Sequence, residues 1–385
     1  MRVITILAIS SSLISAIFAE LAPLRQVKNS IPDEYIINLK KDTRTTIDAH
    51  LDVVQSLFKD RSDSNKIKNV YKNLGKMYHA KFTPEILDKV RNLPDVDFVE
   101  TDGKVSIQAV QTNAPWGLAR ISQRQFTNKS TYTYNGDGNG VVVYVVDTGI
   151  AIGHPEFEGR AVWGANFVNG SPNNDENGHG SHCAGTIGSR TYGVSKKVTI
   201  VAVKVLDKNG SGSWSGIISG FNWVAGDRRG AKGNIISASL GGGKIDSVNN
   251  AVDAATSKGV LCVVAAGNDN KDACDVSPAS AQTAFTVGAS DINDNKASFS
   301  NYGQCVDIIA PGVNVLSTWN NGGTNTISGT SMATPHVAGL AAYYYSQGSY
   351  TIPQIKAQLQ NTSTKNAIKG FSSTTKNYLA YNSVA

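Results

Sequence analysis

The chain has 385 residues, 41% of them apolar and 17% charged, with a net charge of +6. That length suits one large domain with a smaller companion, and that composition excludes a disordered or fibrous chain. The charge is mild and forms no Lys/Arg stripe interleaved with aromatics, so nucleic acid is not an expected partner.

Residues 1–19 read as a secretory signal: Arg2, then a mostly apolar run to Phe18, then Ile17-Phe18-Ala19 as a cleavage context before Glu20. The run is too short and Ser-rich for a membrane anchor, and no later segment could span a bilayer, so no membrane association is expected. Disulfides form along the secretory route. Residues 20–108 are rich in Lys, Asp and Glu, poor in Gly, and lack Cys. Glu34 to Leu39 reads as a strand, and Ile47, Leu51, Val54 and Phe58 recur at helical spacing. Strand-like patches follow at Val70-Tyr71 and Tyr78 to Phe82. Thr83 and Pro84 then open a helix that buries Ile86, Leu87, Val90 and Leu93, and Val96 to Ile107 closes with a strand. This order predicts a small α+β unit of ferredoxin-like type.

From Ala109 onward Gly, Ser and Asn dominate. Val141 to Val146, Val198 to Val205 and Val260 to Ala265 are continuous apolar runs, as parallel strands covered on both faces require. Gly216 to Ala225 and Asp246 to Lys258 read as helices between them. The pattern predicts a three-layer α/β domain with a mainly parallel sheet, whose active site lies past the C-terminal strand ends.

Four residues sit at such positions. Asp147 follows the 141–146 strand directly, His179 opens a helix in Asn177-Gly178-His179-Gly180, and Asn268 ends Ala265-Ala266-Gly267-Asn268. Ser331 stands between small residues at the start of the last long helix, beside unpaired backbone N–H donors. A lone serine there would read as a helix cap. With the other three it reads as acyl-transfer chemistry: Ser331 attacks, His179 moves the proton, Asp147 holds the imidazole. The Asn268 amide and the Ser331 N–H would then hold the oxyanion. A metal site built on His179, His182 and Cys183 lacks a fourth ligand. A lipase-type hydrolase needs Gly-x-Ser-x-Gly and the order Ser, Asp, His, both absent here.

The order Asp147, His179, Asn268, Ser331 and the motifs around them closely resemble the subtilisin-like serine proteases, nearest to the proteinase K branch. Ala114-Pro115-Trp116-Gly117 and Ser298-Phe299-Ser300-Asn301-Tyr302-Gly303 also fit that branch. The resemblance implies a secreted or vacuolar serine endopeptidase over 109–385 that acts on proteins and peptides and is expected to be a monomer. It also implies that 20–108 is a self-cleaved inhibitory propeptide, released near Gln108 to Val110. Substrate would lie between Ser239-Leu240-Gly241 and the opposite edge Gly210-Ser211-Gly212, with Trp214 walling a remote pocket. Ala265, Ala266 and Gly267 would line a roomy, uncharged primary pocket suited to aromatic or aliphatic residues, with no acidic residue marking it for Lys or Arg.

Four cysteines allow three complete pairings. The resemblance implies a Cys274–Cys305 bridge, a buried free thiol at Cys183, and Cys262 as a small core residue. It implies no cofactor for catalysis but a structural Ca²⁺, bound by the Asp307 carboxylate and the carbonyls of Gln282 and Ala284. A second calcium site and a branch disulfide at the Phe285 position lack their residues here. His182 and His336 are expected to pack, and His154 to sit in a loop.

Overall fold

In the computed structural model, residues 21–27, 30–58, 64–103 and 108–384 are described. The expected signal segment therefore lies outside the described residues. The chain divides into two compact units, Met1–Ser106 and Ile107–Ala385.

In the first unit the strands are β1 (Leu24–Arg25), β2 (Ser30–Leu39), β3 (Lys66–Val70), β4 (Met77–Lys81) and β5 (Val96–Gly103). Helix α1 (Ile47–Leu57) follows β2, and α2 (Pro84–Arg91) follows β4. The sheet order is β1-β5-β2-β4-β3, in which the four longer strands pair antiparallel, as the ferredoxin-like expectation requires. Ile37, Val54, Tyr78, Ala80, Phe82, Val90 and Val99 are fully buried between helices and sheet. Thr83 caps α2 differently from expectation. Its hydroxyl makes no cap bond; its backbone N–H donates instead to Asn65 Oδ1 at 2.8 Å.

The second unit is built on one sheet of nine strands. They are β6 (Val141–Asp147), β7 (Ala161–Asn166), β8 (Thr199–Lys204), β9 (Gly233–Ala238), β10 (Val260–Ala265), β11 (Phe285–Ser290), β12 (Ile308–Pro311), β13 (Thr364–Lys365) and β14 (Tyr378–Leu379). The order is β13-β14-β12-β11-β10-β9-β6-β8-β7, parallel except at the β13–β14 edge. Helices α3 (His179–Gly188), α4 (Trp214–Asp227), α5 (Asp246–Ser257), α6 (Thr330–Gln347) and α7 (Ile352–Thr362) cover it.

The pleat sorts the central strand between the two faces. Val141, Val143 and Val145 of β6 pack with Cys183, Ala184 and Ile187 of α3 and with the buried length of α6. Val142, Tyr144 and Val146 pack with Ile217, Phe221 and Val224 of α4 and with Val252 and Ala255 of α5. The three layers expected from the apolar runs are therefore present. Fully burying a Val or Ile side chain is worth about 1.5–3 kcal/mol, so these two interfaces hold β6 in register. That register matters because Asp147 is its last residue. Among the described residues no helix is long and apolar enough to cross a membrane.

Candidate active site

Asp147 ends the central strand fully buried, and its Oδ1 accepts from the Thr148 N–H at 2.7 Å and from His179 Nδ1 at 2.8 Å. The second bond assigns the Nδ1–H tautomer and leaves His179 Nε2 with a lone pair. Burial disfavours the charged ring, but the carboxylate of Asp147 outweighs it and holds the His179 pKa well above 6.5.

His179 is the first residue of α3, and the turn before it needs glycine. Gly178 has φ +110°, and a Cβ there would run into the Trp319 ring. The start of α3 is organised by Asp175, a buried residue that the sequence reading did not single out. Its Oδ1 accepts from Thr148 Oγ1 (2.8 Å), Asn177 N (3.1 Å) and Gly178 N (2.8 Å), and its Oδ2 accepts from Ser181 N (2.8 Å) and Ser181 Oγ (2.6 Å). One carboxylate thus joins the loop after Asp147 to the helix carrying His179, and negative charge suits a helix N-terminus. From the other side the buried Lys204 ammonium donates to the Thr148 carbonyl at 2.7 Å. An aspartate shortly before a histidine helix was the available signal, but its bond to Thr148, 27 residues earlier, could not be read from that spacing.

Ser331 lies in the first turn of α6, and its Oγ donates to the Ser239 carbonyl at 3.1 Å. Its own carbonyl would be claimed by residue 335 in a regular helix, but Pro335 has no N–H. The freed oxygen accepts instead from Ser239 Oγ at 2.9 Å and from Cys183 Sγ at 3.5 Å. Cys183 Sγ also lies 4.0 Å from His179 Nδ1, so this thiol sits between the histidine and the backbone of the serine. Burial pushes the thiol pKa up.

Asn268 is oriented by its oxygen. Asn268 Oδ1 accepts from Thr330 N at 2.8 Å and Thr330 Oγ1 at 2.9 Å, which turns the amide Nδ2 the other way as a donor. Both Asn268 and Ser331 line one cavity of about 190 Å³.

That cavity also takes in Ala265 and Gly267, but not Ala266. Successive residues of an extended segment face opposite ways, and Ala266 packs with Ala273, Val276, Ala279 and Val306 instead. The expectation that no acidic residue marks this pocket is also corrected. Asp269 lines it, with Lys271 Nζ 3.0 Å away to offset its charge. An adjoining cleft of about 510 Å³ is lined by His179, Gly210, Ser211, Gly212 and Trp214 on one side. Ser239, Leu240 and Gly241 line the other. Gly210 takes φ +76°, and Asp207 Oδ1 fixes the turn by accepting from Asn209 N at 2.8 Å and Ser211 N at 3.0 Å.

His154, His182 and His336 of the second unit make packing and backbone contacts. His182 donates from Nε2 to the Val315 carbonyl at 3.0 Å, away from His179, so a His179–His182–Cys183 metal site does not assemble. His336 donates from Nδ1 to the Met332 carbonyl at 2.8 Å. Burial lowers the pKa of each to about 4. His154 caps a short turn at Pro155–Phe157 and reaches the Gly323 carbonyl. Cys274 and Cys305 form the disulfide, and Cys183 and Cys262 are free and buried.

Of the three donors expected for calcium, Asp307 and Ala284 already carry lysine partners. Asp307 Oδ1 is paired with Lys376 Nζ at 2.7 Å, and Asp307 Oδ2 accepts from Thr286 N at 3.1 Å. The Ala284 carbonyl accepts from Lys356 Nζ at 3.3 Å, and Lys356 Nζ also donates to the Thr283 carbonyl. A divalent cation needs bare oxygens, and two lysine side chains already point N–H groups at these.

Residues 138–377 match the Subtilase family, and residues 34–108 match Peptidase inhibitor I9. A cuticle-degrading protease of Metarhizium anisopliae is 51% identical over 374 residues, covering 94% of this chain and 94% of the relative. Proteinase R of Parengyodontium album is 46% identical over 370 residues, covering 94% of this chain and 92% of the relative. The crystal structure of a cold adapted subtilisin-like serine proteinase matches with a TM-score of 0.68 and 46% identity, covering 70% of this chain and 99% of that one.

Proposed function

The chain belongs to the subtilase family and is a serine endopeptidase with an I9-type inhibitor segment, and on that premise we propose that Asp147, His179, Asn268 and Ser331 carry the reaction. Ser331 Oγ attacks the scissile carbonyl while His179 Nε2 takes its proton. Asp147 keeps the imidazole in the Nδ1–H tautomer and stabilises the imidazolium. The Asn268 amide and the Ser331 N–H receive the charge that develops on the carbonyl oxygen. His179 then returns the proton to the leaving amine, and water resolves the acyl-enzyme by the reverse of these steps. The observation that carries this reading is the 2.8 Å bond between buried Asp147 and His179, with His179 lining one cavity, Ser331 and Asn268 lining the next, and Leu240 and Gly241 shared by both.

Substrate binds extended between 210–212 and 239–241, where backbone pairing tolerates many sequences. The primary cavity, with Leu240, Ala265 and Val276 in its lining and Asp269 offset by Lys271, favours an aromatic or aliphatic residue before the scissile bond. Residues 20–108 are a propeptide that inhibits the enzyme until cleavage near Ala109, and the product is exported or delivered to a vacuole.

The test is to express the chain as wild type and as Ser331→Ala, following mass and casein hydrolysis with and without a serine-directed sulfonyl fluoride. The wild type is expected to shed the propeptide and digest casein, and the variant to stay whole and inactive. A clean preparation of Ser331→Ala that still matures and cleaves removes Ser331 from the role of nucleophile.

A further inference from the structure

The cavity of about 350 Å³ around Asp307 is formed by the loop before β11, by the start of β12 and by one flank of α7. Among its lining residues are the donors a hard divalent cation would select: the carbonyls of Gln282 and Ala284 with the Asp307 carboxylate. Two of the three are held instead by a nitrogen. Lys356 Nζ, from the middle of α7, donates to the Thr283 and Ala284 carbonyls, and Lys376 Nζ pairs with Asp307 Oδ1 at 2.7 Å.

We propose that the Lys356 ammonium does, for this part of the second unit, the work of a structural cation, with Lys376 neutralising Asp307, so that folding here is independent of calcium.

Lys356 does not reach the site by accident of a loose chain. Thr351 and Gln354 form a capping box that fixes the start of α7, and Ile355 and Leu359 are fully buried on its inner face. That register sets Lys356 beside the loop, with its stem largely buried and its tip at the carbonyls. The loop is prepared to meet it. Asp253 Oδ1 of α5 accepts from Thr283 N at 2.8 Å and from Thr283 Oγ1 at 2.6 Å, which turns the following peptide oxygens toward Lys356. Gln360, one turn further along α7, donates to the Asp307 carbonyl at 3.2 Å, so the same helix grips both sides of the cavity. A soluble ion would add two positive charges beside two already present. It would bind only if both side chains withdrew.

The test uses the full chain carrying Ser331→Ala, which prevents autolysis, and follows thermal unfolding with calcium chloride or excess EDTA. Neither additive is expected to move the midpoint. Lys356→Met, which keeps the stem and removes the ammonium, is expected to lower it by roughly 2–6 °C. Lys356→Met combined with Lys376→Met frees the oxygens and is expected to make the midpoint rise with calcium. Two results would overturn the proposal: an unchanged midpoint in Lys356→Met, or a calcium-dependent rise in the parent that Asp307→Asn abolishes. A calcium effect that survives Asp307→Asn arises elsewhere, and the Lys356→Met midpoint then decides.

Discussion

Thr330→Val removes a hydroxyl from beside the proposed oxyanion donor while keeping the side chain's shape. In the parent, Thr330 Oγ1 donates to Asn268 Oδ1 at 2.9 Å and accepts from Gly267 N at 3.2 Å. The backbone bond from Thr330 N to the same Asn268 oxygen, at 2.8 Å, survives the change. Asn268 therefore loses one of two restraints on the direction of its amide. A neutral hydrogen bond contributes a net of about 0.5–1.5 kcal/mol, which converts to a fall in kcat of roughly 2–10-fold. KM should hardly move, since the amide is needed most when charge develops. Asn268→Leu removes the donor itself and should cost about 10²–10³ in kcat, a range taken from a single such donor in a related protease rather than worked from this structure. The assay is kcat and KM on a chromogenic peptide amide for parent, both single variants and the double. If Thr330 acts by aiming Asn268, then Thr330→Val costs nothing further once residue 268 is Leu. Equal losses in the two backgrounds would refute the reasoning.

Activity of the parent should rise with pH through a value above 6.5, because His179 works as a base only after losing its proton and its pKa is raised. Asp147→Asn removes the charge that stabilises the imidazolium, so the acid limb of a kcat/KM profile should move to lower pH. The maximum should fall by about 10⁴, the loss known for the same change in an unrelated triad protease. Asp175→Ala strips four hydrogen-bond donors at the start of α3, and the Thr148 hydroxyl, of their shared acceptor, and at least a tenfold loss in kcat is expected, with a lower thermal midpoint; steady-state kinetics beside a melt would check both. Asp294→Ala leaves the buried Arg120 guanidinium without its two carboxylate bonds, at 2.7 and 3.1 Å. Urea unfolding should show a loss of roughly 2–3 kcal/mol, discounted because Asp294 is a quarter exposed.

The layers of the second unit were legible because burial on both faces leaves unbroken apolar runs such as 141–146 and 260–265. The four proposed catalytic residues were legible because each ends or begins such an element. What did not show was whatever depends on partners distant in sequence. Asp175 is one acidic residue in a polar loop until the fold brings Thr148 to it. Asp269 was passed over because its place at the cavity follows from how the chain turns after Gly267, not from its neighbours' composition. The calcium expectation rested on the resemblance of Asp307, Gln282 and Ala284 to a family site, whereas Lys356 and Lys376 arrive from the C-terminal segment. Ala266 was misplaced for a local reason. Three consecutive small residues look interchangeable until alternation sends the middle one inward.

Pro335 gives the nucleophile an unusual kind of anchorage. Helix ends are ordinarily where a protein frays first, since their outer groups answer only to the helix or to water. Here the missing N–H hands one carbonyl to Ser239, just past the end of β9, and to Cys183 on α3. Three segments that meet nowhere in the sequence are knotted at a single oxygen atom. The reactive hydroxyl thus inherits the steadiness of the sheet and of a neighbouring helix, and not the looseness of its own. A more regular helix would have kept that carbonyl for itself, and its serine would breathe with the tip.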